Sequence, residues 1–395
     1  MVVTAGCSSS GAPSAANDPA TIAATASPSP SPSPAPTPSP TPQTFADTYA
    51  AVASGVVRID GQTCQGGWSG TGFLVGPHLV ATVAHVVSGT ATLRVTQGTR
   101  STAASVLGLD DANDVALIHT GDALDGHLFT LTAEGPVVGE RVGVIGFPAG
   151  DTGLDLAAAG GKTFKEGSVE GLDQKADIAG RLRSGLVELD ATTRGGNSGS
   201  PVVDVAGSVV GLLSAGPAKP EHVGARLAVN SHLAGQELKQ WRADPQPVAP
   251  ADCGTSLGPD GQAVPFEQLP GGVSAEAAQT LNLYFGSINQ ADYETAYAQK
   301  HPDVQTTNGF AAFKKGVDTS RDSDIAYHSI ARAGRDVVVW TTFRSEQLPA
   351  YGPAGLDCAV WSLDYTLRDA NGLWLIEGSA PHAGEPRYQS CAEVN

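Results

Sequence analysis

The chain has 395 residues, a length that favours two folded domains over a single hydrophobic core. Its 40 acidic residues outnumber its 23 basic ones, and the net charge of -17 argues against nucleic acid or an anionic membrane surface as a partner, because long-range repulsion would oppose both. With 48 glycines and 27 prolines, the composition favours short strands joined by turns over long helices.

Residues 1–43 are expected to lie outside any folded domain. The opening MVVTAGCSSSG contains a TAGC stretch that resembles the lipobox of bacterial lipoproteins, in which the cysteine is lipidated. Only six residues precede Cys7, too few for a complete export signal, so either the true start lies upstream or Cys7 is an ordinary thiol in a disordered tail. In residues 27–42 every second residue is proline, which predicts an extended spacer of roughly 50 Å. The alternative is a linker whose length has no particular role.

Residues 44–245 have the pattern of an all-β domain. Short apolar runs such as SGVVRI, TGFLV, RVGVIGF and SVVGLLSAG are separated by Gly, Asp-Gly and Pro turns, which predicts a barrel or a sandwich. The segment SHLAGQELKQW then starts with Ser231, a residue type that caps helices, and its apolar residues recur at helical spacing. We therefore expect a closing helix that is capped by Ser231.

A Pro/Gly-rich connector, residues 246–272, precedes a predicted smaller α+β domain of residues 273–395. Leu281, Phe285 and Ile288 share one face of a predicted helix, and NQADYETAYA reads as a second, shorter helix. DVVVWTTFRS, CAVWSLDYTL and LWLIEGSA then read as strands, the last two joined by an Asn-Gly hairpin turn.

Three segments of the all-β part supply the groups that nucleophilic catalysis by serine requires. His85 follows a β-branched run in ATVAHVV, Asp114 directly precedes the strand VALI, and Ser198 lies in the glycine-rich GGNSGSPVVD. Asp110 and Asp111 are competing carboxylates. The glycines around Ser198 favour a rigid loop over a flexible surface turn.

The succession TGFLV, ATVAHVV, NDVALI and GGNSGSPVVD resembles the chymotrypsin-fold serine proteases, and especially their bacterial high-temperature-requirement branch, over roughly residues 52–241. The resemblance implies an all-β double barrel in which Ser198 is the nucleophile, His85 the general base and Asp114 the carboxylate that orients it. The backbone amides of Gly196 and Ser198 would form the oxyanion hole. The family acid immediately precedes the VALI strand, which selects Asp114 over its neighbours.

The resemblance also implies a substrate pocket near Thr192, Ala215 and Gly216. Thr192 supplies no carboxylate for a basic side chain, so small or medium apolar residues are expected at the cleavage site. Asn197 replaces the aspartate that binds a new N-terminus in the animal proteases, which predicts activity without N-terminal processing. No metal and no cofactor are implied.

The cysteines provide a separate expectation. If Cys7 is lipidated, four cysteines remain, which permit three pairings. We favour Cys358 with Cys391 and Cys64 with Cys253; in a cytosolic protein all four would instead be free thiols.

The helices-then-strands order after residue 272, together with SINQADYETAY, resembles the nuclear transport factor 2-like cone, in which helices pack on a curved antiparallel sheet. The order does not match the PDZ module that often follows the protease in the high-temperature-requirement branch. The resemblance implies a binding or scaffolding role for this region.

Taken together, the sequence predicts an exported serine endopeptidase acting on protein or peptide substrates. It would be anchored to the outer face of a bacterial membrane only through Cys7, or otherwise secreted. The alternative is a catalytically silent protease-like scaffold whose C-terminal domain binds a cell-envelope or protein ligand. Covalent labelling of the serine distinguishes the two.

Overall fold

Two closed β-barrels followed by a region of helices and one sheet make up the described part of the computed structural model. The described residues are 44–63, 66–148, 161–215, 225–251, 256–257, 263–264 and 273–394. Cys7, Cys64 and Cys253, on which the lipidation and one disulfide prediction depend, lie outside them. No helix within these ranges combines the length and apolarity that crossing a membrane requires.

The first barrel has six strands in the order β1-β2-β3-β6-β5-β4. A short helix, α1 (Phe45–Val52), precedes it, and another, α2 (Ala84–Val87), follows β3. The strands are β1 (Val56–Thr63), β2 (Gly66–Gly76), β3 (Leu79–Thr82), β4 (Thr92–Gln97), β5 (Arg100–Asp110) and β6 (Val115–Thr120). The all-β prediction for this segment is therefore confirmed as a closed barrel.

The second barrel has the strand order β10-β11-β12-β9-β8-β7. Its strands are β7 (Arg141–Gly146), β8 (Thr163–Ile178), β9 (Arg181–Asp190), β10 (Pro201–Val203), β11 (Val209–Ala215) and β12 (Ala225–Asn230). The expected closing helix follows as α3 (Ser231–Ala243), but its cap is Asn230, whose side chain accepts from the His232 amide. The prediction that Ser231 caps this helix is wrong, because the Ser231 hydroxyl bonds to Thr132 instead.

A minimal two-stranded sheet, β13 (Ser256–Leu257) and β14 (Ala263–Val264), lies in the connector. The C-terminal region, residues 273–394, then begins with four helices: α4 (Val273–Asn289), α5 (Tyr293–Ala298), α6 (Pro302–Thr307) and α7 (Phe310–Val317). Its antiparallel strands are β15 (Arg321–Ala333), β16 (Asp336–Glu346), β17 (Cys358–Ala370), β18 (Leu373–Pro381) and β19 (Tyr388–Ser390).

Local chemistry accounts for several features of this region. Asn371 and Gly372 adopt φ of 58° and 90°, as the predicted Asn-Gly hairpin between β17 and β18 requires. Register shifts interrupt the pairing of β15 with β16 and of β17 with β18, and such bulges bend and twist a sheet. The predicted Cys358–Cys391 disulfide is present, with the two Cα atoms 5.5 Å apart.

Two buried arginines of the first barrel join it to the C-terminal region. Arg94 on β4 donates to Glu276 and Gln299, and to the Thr280 hydroxyl at 2.9 Å. Burial lowers the pKa of Arg94 to about 10, against the opposing effect of the Asp60 charge. A guanidinium without solvent needs partners that satisfy its donors, and here most of them come from the C-terminal region.

Arg58 on β1 forms the second connection. Its Nη1 lies 2.9 Å from Asp292 and 3.2 Å from the Thr295 hydroxyl, both at the start of α5. Its Nε bonds to Asp60 at 2.8 Å, and Nη2 bonds to Ser69 at 3.2 Å. The C-terminal region therefore supplies part of the hydrogen bonding for a charge that the barrel buries.

Candidate active site

His85 and Asp114 come from neighbouring parts of the first barrel. His85 lies on α2, which follows strand β3 directly, and Asp114 occupies the tight turn between β5 and β6. Asp114 has a φ of 58°, an uncommon conformation for a residue other than glycine, and its side chain is fully buried. Backbone strain at a buried charged residue is typical of functional sites.

The two competing carboxylates have other partners. Asp110 accepts hydrogen bonds from the amides of Ala112 and Asn113, at 2.7 and 3.0 Å, and thereby stabilises the turn. Asp111 lies 3.6 Å from the Arg181 guanidinium near the surface. Of the three neighbouring aspartates, Asp114 is the one that contacts His85.

The contact between Asp114 and His85 has the geometry of an oriented imidazole. His85 Nδ1 lies 2.9 Å from Oδ2 and 3.1 Å from Oδ1, and the His85 backbone amide donates to Oδ1 at 3.0 Å. The carboxylate therefore holds both the ring and the backbone of the histidine. This leaves the other ring nitrogen to act on a substrate or a nucleophile.

Two further groups bind the same carboxylate. Ser214, on β11 of the second barrel, donates its hydroxyl to Asp114 Oδ2, and Arg183 Nη2 lies 3.2 Å from Oδ1. Burial opposes ionisation of Asp114, but the hydrogen bond and charge of His85, the Ser214 hydroxyl and the Arg183 charge together hold its pKa below the ordinary value. Asp114 is accordingly an anion at neutral pH.

Ser198 lies in the loop between β9 and β10, which the first barrel braces. The Thr71 amide donates to the Ser198 carbonyl at 2.8 Å, and the Thr71 hydroxyl donates to the Gly196 carbonyl at 2.8 Å. Gly199 adopts a φ of 87° and its amide donates to the Leu213 carbonyl at 2.7 Å. The loop is therefore fixed from both barrels, as the glycine-rich sequence predicts.

The Ser198 hydroxyl donates to the Ser214 carbonyl at 2.8 Å. Ser198 and His85 both line one cleft of about 460 Å³, so a change of the serine rotamer turns the hydroxyl within that cleft. Trp68, Ser69, Asp111 and Arg181 are among its other lining residues. The structure thus brings Ser198 and His85 to one cleft between the barrels, with Asp114 buried in contact with His85.

The two predicted oxyanion donors are the amides of Gly196 and Ser198. Gly196 has a φ of 84°, a conformation that L side chains rarely adopt, which explains the glycine. Within the described part of the chain, the carbonyls of Gly196 and Ser198 accept hydrogen bonds from Thr71, but neither amide donates one. Both donors are therefore free to bind an oxygen of a substrate.

The predicted substrate pocket is described only in part. Thr192 is exposed; Ala215 ends β11, but its side chain and all of Gly216 lie outside the described residues. Arg226 donates Nε and Nη2 to the Thr193 carbonyl, at 3.1 and 2.7 Å. Arg226 therefore binds the backbone of the residue that follows Thr192, the predicted pocket floor.

Sequence reasoning missed Ser214 and Arg183. Ser214 directly precedes Ala215 in the strand SVVGLLSAG. The family resemblance that assigned Ala215 to the substrate pocket could therefore have indicated Ser214 as well. Arg183 gives no local signal: it lies on β9, and its charge reaches Asp114 only because the β8–β9 hairpin packs against the β5–β6 turn.

One group of possible metal ligands occurs among the described residues, in the C-terminal region. Ligand atoms of His301, Asp303 and Glu377 lie within 4.8 Å of one another. His301 Nδ1 already accepts from the Asp303 amide, and Glu377 pairs with the Arg368 guanidinium at 2.8 Å. A nearby cation and an occupied lone pair both disfavour a metal ion, and we assign none.

The model of the trypsin-like peptidase domain matches residues 70–212, the segment that carries His85, Asp114 and Ser198. The matched segment begins in β2 and ends in β11, so it covers parts of both barrels.

Named relatives agree with this match. Over 206 residues the chain is 29% identical to serine protease Rv3671c of Mycobacterium tuberculosis, covering 52% of this chain and 50% of that protein. It is 29% identical over 163 residues to the serine protease Do-like HtrA of Bacillus subtilis, covering 40% and 34% of the two chains. The chain thus spans about half the length of the first curated relatives that it matches. These relatives and the peptidase domain support a hydrolase of the serine endopeptidase class.

Solved structures were compared as well. The active form of the Rv3671c protease from M. tuberculosis is 24% identical and superposes with a TM-score of 0.44, covering 52% of this chain and 87% of that one. The HtrA-type protease AlgW with a tripeptide is 22% identical with a TM-score of 0.43, covering 50% and 63%.

Proposed function

We propose that the protein is an exported serine endopeptidase that cleaves peptide bonds through an acyl-enzyme on Ser198. The observation that carries the proposal is the His85–Asp114 pair, 2.9 Å apart, opening onto the same cleft as Ser198. A serine hydroxyl is a weak nucleophile on its own, and an oriented neutral imidazole is the group that activates it.

The proposed reaction has two stages. His85 takes the Ser198 proton while Oγ attacks the peptide carbonyl carbon, and the carbonyl oxygen becomes an oxyanion facing the amides of Gly196 and Ser198. Collapse breaks the C–N bond, and His85 returns the proton to the leaving amine. Water, deprotonated by His85, then releases the acyl group from Ser198. Each oxyanion donor supplies roughly 3–4 kcal/mol of transition-state stabilisation in such sites.

We infer a small or medium apolar side chain at the cleaved residue. Thr192 carries no charge to bind a lysine or arginine of the substrate. Asn197, an uncharged amide, supports activity of the full-length chain without prior N-terminal cleavage.

Export is the inference that the Cys358–Cys391 disulfide supports best, because such bonds persist in oxidising compartments. Anchoring through a lipidated Cys7, with residues 27–42 as a spacer, remains part of the proposal. Mass spectrometry of the mature N-terminus tests it: a diacylated cysteine supports anchoring, and an unmodified Cys7 contradicts it.

A second candidate is a catalytically silent scaffold whose C-terminal region binds a cell-envelope or protein ligand. One observation favours it: the Ser198 hydroxyl donates to the Ser214 carbonyl. A hydroxyl held there permanently would not reach the imidazole, and the domain would bind without cleaving.

Labelling with a fluorophosphonate separates the two candidates. We expect stoichiometric labelling of the wild type and none of Ser198→Ala. Ser200→Ala is the matched control: its hydroxyl is fully buried and has no hydrogen-bond partner within the described structure, so removing it should leave labelling intact. An unlabelled wild type would overturn the enzyme proposal and favour the scaffold.

A further inference from the structure

The C-terminal region encloses a second cavity, unrelated to the cleft of the peptidase domain. Its volume is about 440 Å³, within the range of small-molecule sites, and it lies between α4, the end of α7 and strands β15 to β17. Aromatic side chains form its walls: Tyr284, Phe285, Phe343, Trp361 and Tyr365.

These rings pack against one another as a continuous wall. Phe285 lies 4.8 Å from Phe343 and 5.7 Å from Tyr365, and Trp361 is stacked on Phe343 at 6.2 Å. Ring faces carry negative electrostatic potential, so such a wall favours apolar groups and cations over anions.

One carboxylate lies within this aromatic surround. Asp322 lines the cavity with 8% of its surface exposed, and its Oδ1 is buried with no hydrogen-bond partner in the described structure. Its backbone is fixed on both sides by Asn289, which accepts from the Asp322 amide and donates to its carbonyl, each at 2.7 Å. The backbone of Asp322 is therefore held in place, while its Oδ1 receives no hydrogen bond from the described residues.

The surroundings of Asp322 contain few opposing charges. Tyr284 and Tyr365 line the same cavity as neutral hydroxyls, and burial, together with the charge of Asp322, raises the pKa of both. Arg387 is exposed at the rim, 6.0 Å from the Trp361 ring centre, and Lys300 lies 4.9 Å from the centre of the Tyr284 ring. No ion pair joins either cation to Asp322 in the described structure.

The buried Nε1 of Trp361 also donates to nothing among the described residues. One unpaired acceptor and one unpaired donor give two specific polar requirements to this cavity, which Ser320, Ser345, Gln347 and Arg387 also line. A cation with N–H groups satisfies the first, and an oxygen acceptor satisfies the second.

We propose that this cavity binds a small organic ammonium ion, with its apolar body against the aromatic wall and its cationic nitrogen at Asp322. The carboxylate supplies charge and a hydrogen-bond acceptor, and the rings add cation–π attraction. Because nothing in this site uses Ser198, the proposal is independent of the proteolytic function.

Asp322 gives the site a characteristic pH dependence. Burial raises its pKa from 3.8 to about 6, against a smaller opposing effect of the Ser345 hydroxyl. Binding of a cation should therefore weaken as the pH falls below about 6. In the free protein the same shift destabilises the fold, because the carboxyl of the unfolded chain ionises above its ordinary pKa of 3.8 while the buried one stays protonated up to about pH 6, so stability is lost as the pH rises over that interval.

Calorimetric titration of the full-length protein with phenethylamine tests the proposal, with 2-phenylethanol as its uncharged counterpart. We expect the wild type to bind the amine at millimolar concentration or below and at least about 10-fold more tightly than the alcohol. Asp322→Asn should remove this preference while leaving stability at neutral pH equal or higher, since it removes a buried charge.

Three results would overturn the proposal: no heat of binding for the amine, equal affinity for amine and alcohol, or an unchanged preference in Asp322→Asn. If that variant fails to fold, the wild type provides the second measurement. Its affinity for the amine should fall several-fold between about pH 7.5 and about pH 5, and a constant affinity would exclude Asp322 as the anion.

Discussion

Arg183 is the residue that most distinguishes this candidate site from a plain arrangement of serine, histidine and aspartate. Its guanidinium donates to the carbonyls of Ile178 and Asp111 and lies 3.2 Å from Asp114. A cation beside the carboxylate offsets part of the negative charge that would otherwise favour a protonated His85. Arg183 therefore acts on catalysis through Asp114, as a positioning residue.

The acid limb of the pH–rate profile, where activity falls with falling pH, should depend on the Arg183 charge. A histidine base must be neutral to accept a proton, so activity should fall as the pH is lowered from about 8 to about 5. Asp114, whose pKa is held low, stays ionised across that range. A profile of kcat/KM that is flat from about pH 5 to about pH 8 would contradict the assigned base.

In Arg183→Gln the acid limb should move to higher pH, because the uncompensated carboxylate favours the protonated imidazole. Arg141→Gln, which removes an arginine from an exposed pair with Glu166, should leave the limb in place. A loss of stability in Arg183→Gln with an unmoved limb would show that Arg183 is structural only.

At the scale of elements, strands were easier to predict than helices. The short apolar runs of the barrels alternate with turn residues, so both the barrel strands and the Asn-Gly hairpin followed from local sequence. Strand β15 was missed because its burial alternates irregularly, with register shifts against β16. Helix α6 was missed because it is short and buries no side chain, which leaves almost no apolar periodicity. Helix α7 was missed although Phe310, Phe313 and Val317 recur at helical spacing and pack on the core.

In the candidate site, too, local sequence predicts some features and long-range packing determines the others. His85, Asp114 and Ser198 each lie next to a strand with a recognisable pattern. The hydrogen bonds that hold the serine loop against the first barrel do not follow from pattern, because Thr71 and Gly196 lie 125 residues apart in the chain. Arg183 depends wholly on the packing of a distant hairpin.

The serine loop yields a sharp test of its rigidity. A Cβ on Gly199 would lie 2.0 Å from the Thr71 carbonyl oxygen and 2.2 Å from the Thr82 hydroxyl, at a φ of 87°. Gly199→Ala should therefore cost roughly 3 kcal/mol or more of the free energy of unfolding and abolish serine labelling.

Gly139 is the matched control for that variant. Its φ is 83°, yet a Cβ there would meet nothing within 4 Å. Gly139→Ala should cost only about 1–2 kcal/mol and retain labelling. Equal losses of stability in the two variants, measured by urea unfolding, would mean that φ alone and not close packing constrains the loop.

At the scale of the whole molecule, the C-terminal region is part of the same folded unit as the double barrel. Arg58 and Arg94 are almost fully buried, and several of their partners lie on α4 and α5. Gln279 of α4 also donates to the Asp60 carbonyl at 3.2 Å and accepts from Thr92 at 2.7 Å. Removing the C-terminal region would take away several hydrogen-bond partners of these two guanidinium groups.

Arg94→Met tests this dependence. Loss of the guanidinium leaves Glu276 buried without its counter-charge, so the free energy of unfolding should fall by about 3–5 kcal/mol. Arg141→Met, at an exposed ion pair, should change it by less than about 1 kcal/mol. The double variant Arg94→Met, Glu276→Leu should recover much of the loss, because an apolar pair can replace a buried ion pair. Equal effects of the two single variants in urea unfolding would contradict the account of this interface.

The most direct test of the proposed chemistry is to trap the acyl-enzyme. The full-length protein is mixed with an activated ester of a small apolar acyl-amino acid, quenched in acid and digested for peptide mass spectrometry. We predict the acyl mass on the peptide that contains Ser198, and its absence in Ser198→Ala and in His85→Ala. Ester turnover that persists in Ser198→Ala, or an adduct on any other residue in the wild type, would contradict the account.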